Sequence, residues 1–296
     1  MQLRNFIAEN KKKPDRKILA LLIVAGTVSV LSVTYLTAYT SDEISAYDVP
    51  SRALILDQLY DEIPNKSFHS TATEYLESAG YTVDIVTTKE ITIDFYKKLP
   101  EMNYDFVVIR THGVVDKSDN KGVALFTGEK YSEDKYVLEQ LMGIVKKGTP
   151  LIDVTFQQNE QESRKWVQTG DNQFESVTKA EIIDESADEY FLISSEFVEQ
   201  AMEGDFSNTI FFLGGCETMA DSSLADSLVN RGGQLVVGWD NPVGSYENDK
   251  IMLQLIQNYI VEGLDIQKAV EASQNIPLEY MTPPSSLAYQ SAEILT

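Results

Sequence analysis

The order of apolar segments predicts an α/β protein with a mostly parallel central sheet flanked by helices. Three observations carry that expectation. Arg52 to Leu56, Tyr81 to Val86 and Phe106 to Arg110 are short apolar runs separated by stretches of helical spacing, and alternating strands and helices imply parallel pairing through right-handed crossovers. The same grammar returns at Thr209 to Leu213 and at Gln234 to Trp239. Two of these strands end in reactive residue types, one in Thr111-His112-Gly113 and the other in Gly214-Gly215-Cys216. The carboxyl ends of strands are where open α/β sheets hold their chemistry.

Each element has a local reason. Phe68 to Ala79 has helical spacing, with Ser67 available as a cap and Gly80 as the residue that ends it. His69 falls in its first turn, where a solvated surface histidine is expected. Thr92 to Leu99 is a short helix with Tyr96 and Leu99 on one face. Between Gly113 and Asp205 the pattern loosens: Ala124 to Phe126, Leu151 to Val154 and Tyr190 to Ile193 suggest strands, and Tyr136 to Val145 and Glu196 to Met202 suggest helices. Gln157 to Ala187 is polar and poorly periodic, and the acidic run Glu181 to Glu189 reads as a solvated face. Ser222 to Asn230, Asn248 to Glu262 and a last helix capped by Asp265 complete the series. Residues 275–296, with Pro283-Pro284, read as an extended tail.

The amino end is of another kind. Residues 1–17 carry six basic groups and two acidic ones, a basic cytoplasmic segment, and Ile18 to Tyr39 is 22 residues without a charge. As a helix that run would extend roughly 33 Å, enough to cross a bilayer. The basic flank lies on its amino side and Asp42, Glu43 and Asp48 follow it, so one transmembrane helix is expected over 18–39, with the N-terminus cytoplasmic and the rest outside. The rival, a cleaved signal peptide, fits less well, because the run exceeds a typical signal core and no small-x-small site closes it. Residues 40–51 are then a spacer and 52–274 the folded domain, with 114–205 an inserted or divergent region.

Charge excludes some functions. The net charge is −22, and residues 18–296 hold 18 basic and 44 acidic groups, a surface that repels nucleic acid and anionic lipid. The single cysteine rules out an intramolecular disulfide. The chain has no glycine-rich phosphate loop and no His/Cys cluster of metal-ligand spacing; no cofactor is expected, although so many carboxylates would suit calcium. A lone cysteine is usually a small buried hydrophobe. Its pairing with a histidine, each past a strand and beside glycine, instead suits a thiol nucleophile with its base.

These motifs resemble the caspase-like cysteine peptidases, and among them the CHAT type. The apolar strand ending in Thr111-His112-Gly113 is similar to that family's His-Gly strand, and Leu213-Gly214-Gly215-Cys216-Glu217-Thr218 to its Cys-Glu-Thr strand end. Leu224-Ala225 with Gly232 to Asp240, and Lys268 to Ala272, are also similar, so the resemblance spans roughly 52–113 and 206–274. The separation of 104 positions from His112 to Cys216 exceeds the family's usual spacing. The resemblance implies a three-layer caspase-like fold and an endopeptidase acting on protein or peptide substrates, which the run at 18–39 would anchor to a membrane. Cys216 would be the nucleophile, His112 the base, and the N–H groups of Gly113 and Cys216 the oxyanion hole. Gly238, Trp239 and Asp240 would pair with an extended substrate, and Asp57 or Asp240 would select a basic residue before the scissile bond. The alternatives are a catalytically inactive binding or signalling module of the same fold, and a different α/β hydrolase or acyltransferase using the thiol.

Overall fold

Strands buried on both faces must be apolar along their whole length, and four such strands form the centre of the molecule: β1 (Arg52–Asp57), β3 (Phe106–Arg110), β8 (Thr209–Gly214) and β9 (Gly233–Trp239). The computed structural model describes residues 51–115, 122–150, 188–274 and 285–292, all within one unit, 50–296. With β2 (Thr82–Thr87) and β10 (Leu287–Ser291) these strands make a six-stranded sheet of order β10-β9-β8-β3-β1-β2, parallel except for β10.

Alternation sends successive side chains to opposite faces. Ala53, Ile55, Phe106, Val108, Phe212 and Val237 pack under helices α1 (Lys66–Ser78), α6 (Ser245–Ile256) and α7 (Ile266–Gln274). Leu54, Leu56, Val107, Ile109, Phe211 and Leu213 pack against α2 (Ile93–Lys98), α4 (Ser195–Gln200) and α5 (Ser223–Asn230). The described part of this unit is thus built on a mostly parallel sheet with helices on both faces, as its alternating segments predict. The first helix is capped by Asn65, whose side chain accepts from the Phe68 N–H at 3.0 Å, rather than by Ser67.

Two regions depart from expectation. Part of the stretch read as a tail supplies β10, which pairs antiparallel with β9 from Leu287↔Trp239 to Ser291↔Leu235. The region after His112 builds a second, antiparallel sheet of order β4-β5-β7-β6, from Gly113–Val115, Val123–Lys130, Tyr190–Ser194 and Lys146–Gly148. The expected helix there shrinks to α3 (Val137–Leu141). The expected anchor at 18–39, the strand at Leu151 to Val154, and most of the acidic run lie outside the described residues. Among those described, no helix is long and apolar enough to cross a membrane.

Candidate active site

Register alone places the two reactive residues just past adjoining strand ends. Arg110 of β3 stands opposite Gly214 of β8, and the Thr111 N–H donates to the Gly214 carbonyl at 3.0 Å, so His112 and Cys216 each lie two residues past the paired ends of neighbouring parallel strands. The chains touch there: a Cβ on Gly113 would stand 2.0 Å from the Cys216 carbonyl oxygen, which is why that position is glycine.

The loop after β1 holds the histidine. Gln58 Oε1 accepts from the His112 N–H at 3.2 Å, and His112 Nε2 lies 3.1 Å from each carboxylate oxygen of Glu62. With Nε2–H donated to Glu62, the lone pair of the neutral ring is on Nδ1, the atom that can take a proton. Phe126 packs its ring edgewise on the imidazole, centroids 5.9 Å apart.

The thiol is held from the other side. Cys216 Sγ donates to the Val243 carbonyl at 3.3 Å and accepts from the Val243 N–H at 3.4 Å, so its hydrogen bonds run to the chain just ahead of α6. The next residue, Glu217, has φ of 57°, a left-handed conformation rare for a non-glycine residue, and its N–H donates to the Asn241 carbonyl at 3.2 Å. Thr218, fully buried, accepts from the Trp239 N–H at 3.0 Å and lies within reach of the Leu213 and Gly215 carbonyls. A side chain on Gly238 would run into Thr218 Oγ1 at 2.4 Å. The Cys-Glu-Thr turn is therefore tied at each of its residues to the chain that runs from the end of β9 to α6.

Burial pushes the Cys216 thiol above its ordinary pKa, the nearby Glu217 charge adds to this, and the Val243 N–H only partly opposes it. The thiol is therefore neutral at neutral pH, and attack requires a base. Alkylation by iodoacetamide, followed by intact mass, should rise about tenfold per pH unit past the point, near pH 8.5, where a free thiol levels off. A plateau below pH 8 would instead indicate a preformed thiolate.

Beneath the dyad lies a charged cluster. By strand parity Asp57 and Arg110 point into the layer of α1 and α6, and both are fully buried. Arg110 Nη1 donates to Asp57 at 2.9 Å, Nε and Nη2 donate to Asp249 at 2.7 and 3.0 Å, and Nη2 also reaches the Ile63 carbonyl at 2.9 Å. Burial alone would lower the guanidinium pKa; the Asp249 and Asp57 carboxylates outweigh it and the net shift is upward. His69 completes the cluster, its Nε2 2.7 Å from Asp57 and its ring stacked on Tyr60.

Several expected substrate contacts take other work. Asp57 is committed to Arg110 and His69, which removes it as a pocket floor for a basic side chain, and His69 is not a solvated residue. Trp239 is fully buried, its Nε1 donating to Asn248 at 2.9 Å, so it is core. The free edge of β9 at Gly238 and Trp239 is filled by β10, leaving no backbone there for a substrate strand. Asp240 lies just beyond; its N–H donates to the Ser286 carbonyl and its Oδ1 accepts from the Ser286 N–H at 2.7 Å. Glu62 and Gln58 are site residues the sequence did not signal. A separate open groove between α1 and β2, lined by Tyr60, His69 and Ile85, includes neither Cys216 nor His112. No group of three or more His, Cys, Asp or Glu able to hold a metal occurs among the described residues.

Fold and site together define an α/β protein with a histidine and a thiol at adjoining strand ends. No family model matches the chain, and no curated protein matches it. Among solved structures, the crystal structure of a Geobacter sulfurreducens protein, a structural genomics target, is similar at 12% identity over 82% of this chain and 94% of that one. Its TM-score of 0.35 is too low to carry anything about function.

Proposed function

We propose that the protein is a caspase-like cysteine endopeptidase whose nucleophile is Cys216 and whose base is His112, oriented by Glu62. The observation that carries the reading is that His112 and Cys216 stand two residues past the paired ends of adjoining strands, with His112 Nε2 engaged by a carboxylate 3.1 Å away. That is the arrangement of nucleophile, base and orienting group in which each member has a defined proton. A six-stranded sheet with one antiparallel edge strand and helices on both faces agrees with the resemblance of the motifs.

In the reaction the thiol leaves its Val243 clasp, His112 Nδ1 takes its proton, and sulfur bonds to the substrate carbonyl carbon. The C–N bond then breaks as Nδ1 returns the proton to the leaving amine, and water, activated by the same nitrogen, hydrolyses the thioester. The N–H groups of Gly113 and Cys216 serve the oxyanion, and losing one such donor costs roughly 10²–10³ in rate. Asp240 remains the residue to select Arg or Lys before the cut, and residues 18–39 hold the domain at the outer face of a membrane.

The clasp also favours a second reading. A thiol hydrogen-bonded to Val243 and raised in pKa suits an inactive relative that binds rather than cuts. Incubation with a diverse peptide library, read by mass spectrometry with Cys216→Ala and His112→Ala as controls, separates the two. Cleavage after Arg or Lys, lost in both variants, is expected. Cuts only after Asp would overturn the specificity, and no cleavage together with a thiol inert to alkylation would favour the binding module.

A further inference from the structure

One buried side chain touches both halves of the dyad's support. Arg110 ends β3 two residues before His112, and its partners lie on separate segments that carry the other site groups. Its Nη2 holds the Ile63 carbonyl, the residue after Glu62, which in turn meets the His112 ring. Its Nε and Nη2 hold Asp249 in α6, the helix that begins two residues after Val243, where the thiol is clasped. Asp57 fixes the guanidinium from β1, and Asn65 Nδ2 donates to Asp249 Oδ2 at 2.8 Å, closing the ring between the two segments.

We infer that Arg110 is a positioning residue of the proposed reaction: its guanidinium fork braces the Glu62 turn against Asp249 in the N-terminal half of α6, and so sets His112 and Cys216 at a fixed separation. Only a planar group with several fixed donors can serve three acceptors on two segments; a lysine supplies the charge without the fork. The inference rests on the peptidase reading for its activity arm and on the geometry alone for its spectroscopic arm.

The chain has only two histidines, so a ¹⁵N-histidine-labelled sample resolves the tautomer of each ring, with His69→Gln assigning the signals. In the unaltered protein His112 should be the Nε2–H tautomer. In Arg110→Lys, at a temperature well below its melting point, His112 should become a mixture of tautomers, and kcat should fall at least tenfold with KM within about twofold, since small misplacements at a reacting centre are costly. Should that variant fail to fold, Asp249→Asn, which keeps the shape and frees the α6 side of the brace, is expected to reduce kcat in the same sense. A folded Arg110→Lys with a single Nε2–H tautomer and unchanged kcat would overturn the inference. An unaltered protein that cleaves nothing, while its His112 tautomer still responds to Arg110→Lys, would defeat the peptidase reading and leave the brace standing.

Discussion

Gly113→Ala is expected to fold less stably than the unaltered protein and to lose peptide cleavage by about two orders of magnitude or more, the scale of rate loss for misplacement at a reacting centre. The added Cβ would meet the Cys216 carbonyl oxygen at 2.0 Å and Thr218 Cγ2 at 3.1 Å. That carbonyl cannot withdraw cheaply, because the turn behind it is tied to β9 through Glu217 to Asn241, Trp239 to Thr218 and Met219 to Trp239. The strand end carrying His112 must move instead. Overpacking of this kind costs about 1–3 kcal/mol of stability, while the displacement falls directly on the separation of base and nucleophile. Calorimetric melting and steady-state kinetics of the purified variant test both parts, and wild-type turnover in Gly113→Ala would show that the two strand ends do not cooperate in catalysis.

The largest stability effect is expected at Arg110. Arg110→Met keeps length and apolar stem but leaves Asp57 and Asp249, 0% and 4% exposed, without their shared cation. Removing one partner of a buried ion cluster costs about 3–5 kcal/mol, whereas replacing the whole cluster by neutral groups is often close to neutral. Urea unfolding should therefore show a loss of that order for Arg110→Met, and Asp57→Asn with Asp249→Asn in the same background should recover a large part of it. A loss under 1 kcal/mol, or no recovery, would mean that the carboxylates find other partners or water.

The central strands were legible because burial on both faces leaves little besides apolar residues in them, and their alternation with helices implied parallel pairing, though not the strand order. The edge strand β10 was not. Leu-Ala-Tyr-Gln-Ser is short, mixed in polarity and close behind two prolines, and only its pairing with β9 makes it a strand. The three-residue strands β4 and β6 are likewise products of tertiary pairing.

At the site, His112 and Cys216 stood out because each follows an apolar strand and adjoins glycine. Glu62 did not, since a glutamate beside Asp61 in a polar loop looks like any solvated carboxylate until β3 delivers a histidine to it. Asp57 reads from the sequence as a candidate pocket floor, and the structure gives it Arg110 and His69 as partners. The signal that could have corrected this was in the sequence: an arginine closing the strand Phe-Val-Val-Ile-Arg carries a charge into the core, and such a charge needs carboxylates brought to it. Asp57, ending the neighbouring apolar strand on the same face, was the nearest to hand.

The most direct measurement on the dyad is capture of the acyl-enzyme. The protein is mixed with a peptide thioester or activated ester carrying Arg or Lys at its acyl end, quenched in acid within seconds, digested and mapped by mass spectrometry. The expected result is a thioester on Cys216 alone, absent in Cys216→Ala and formed at least a hundredfold more slowly in His112→Ala, in line with the 10²–10⁴ that a positioned base contributes. Acylation at other side chains, or at Cys216 with the same rate when His112 is gone, would contradict the assignment of nucleophile and base.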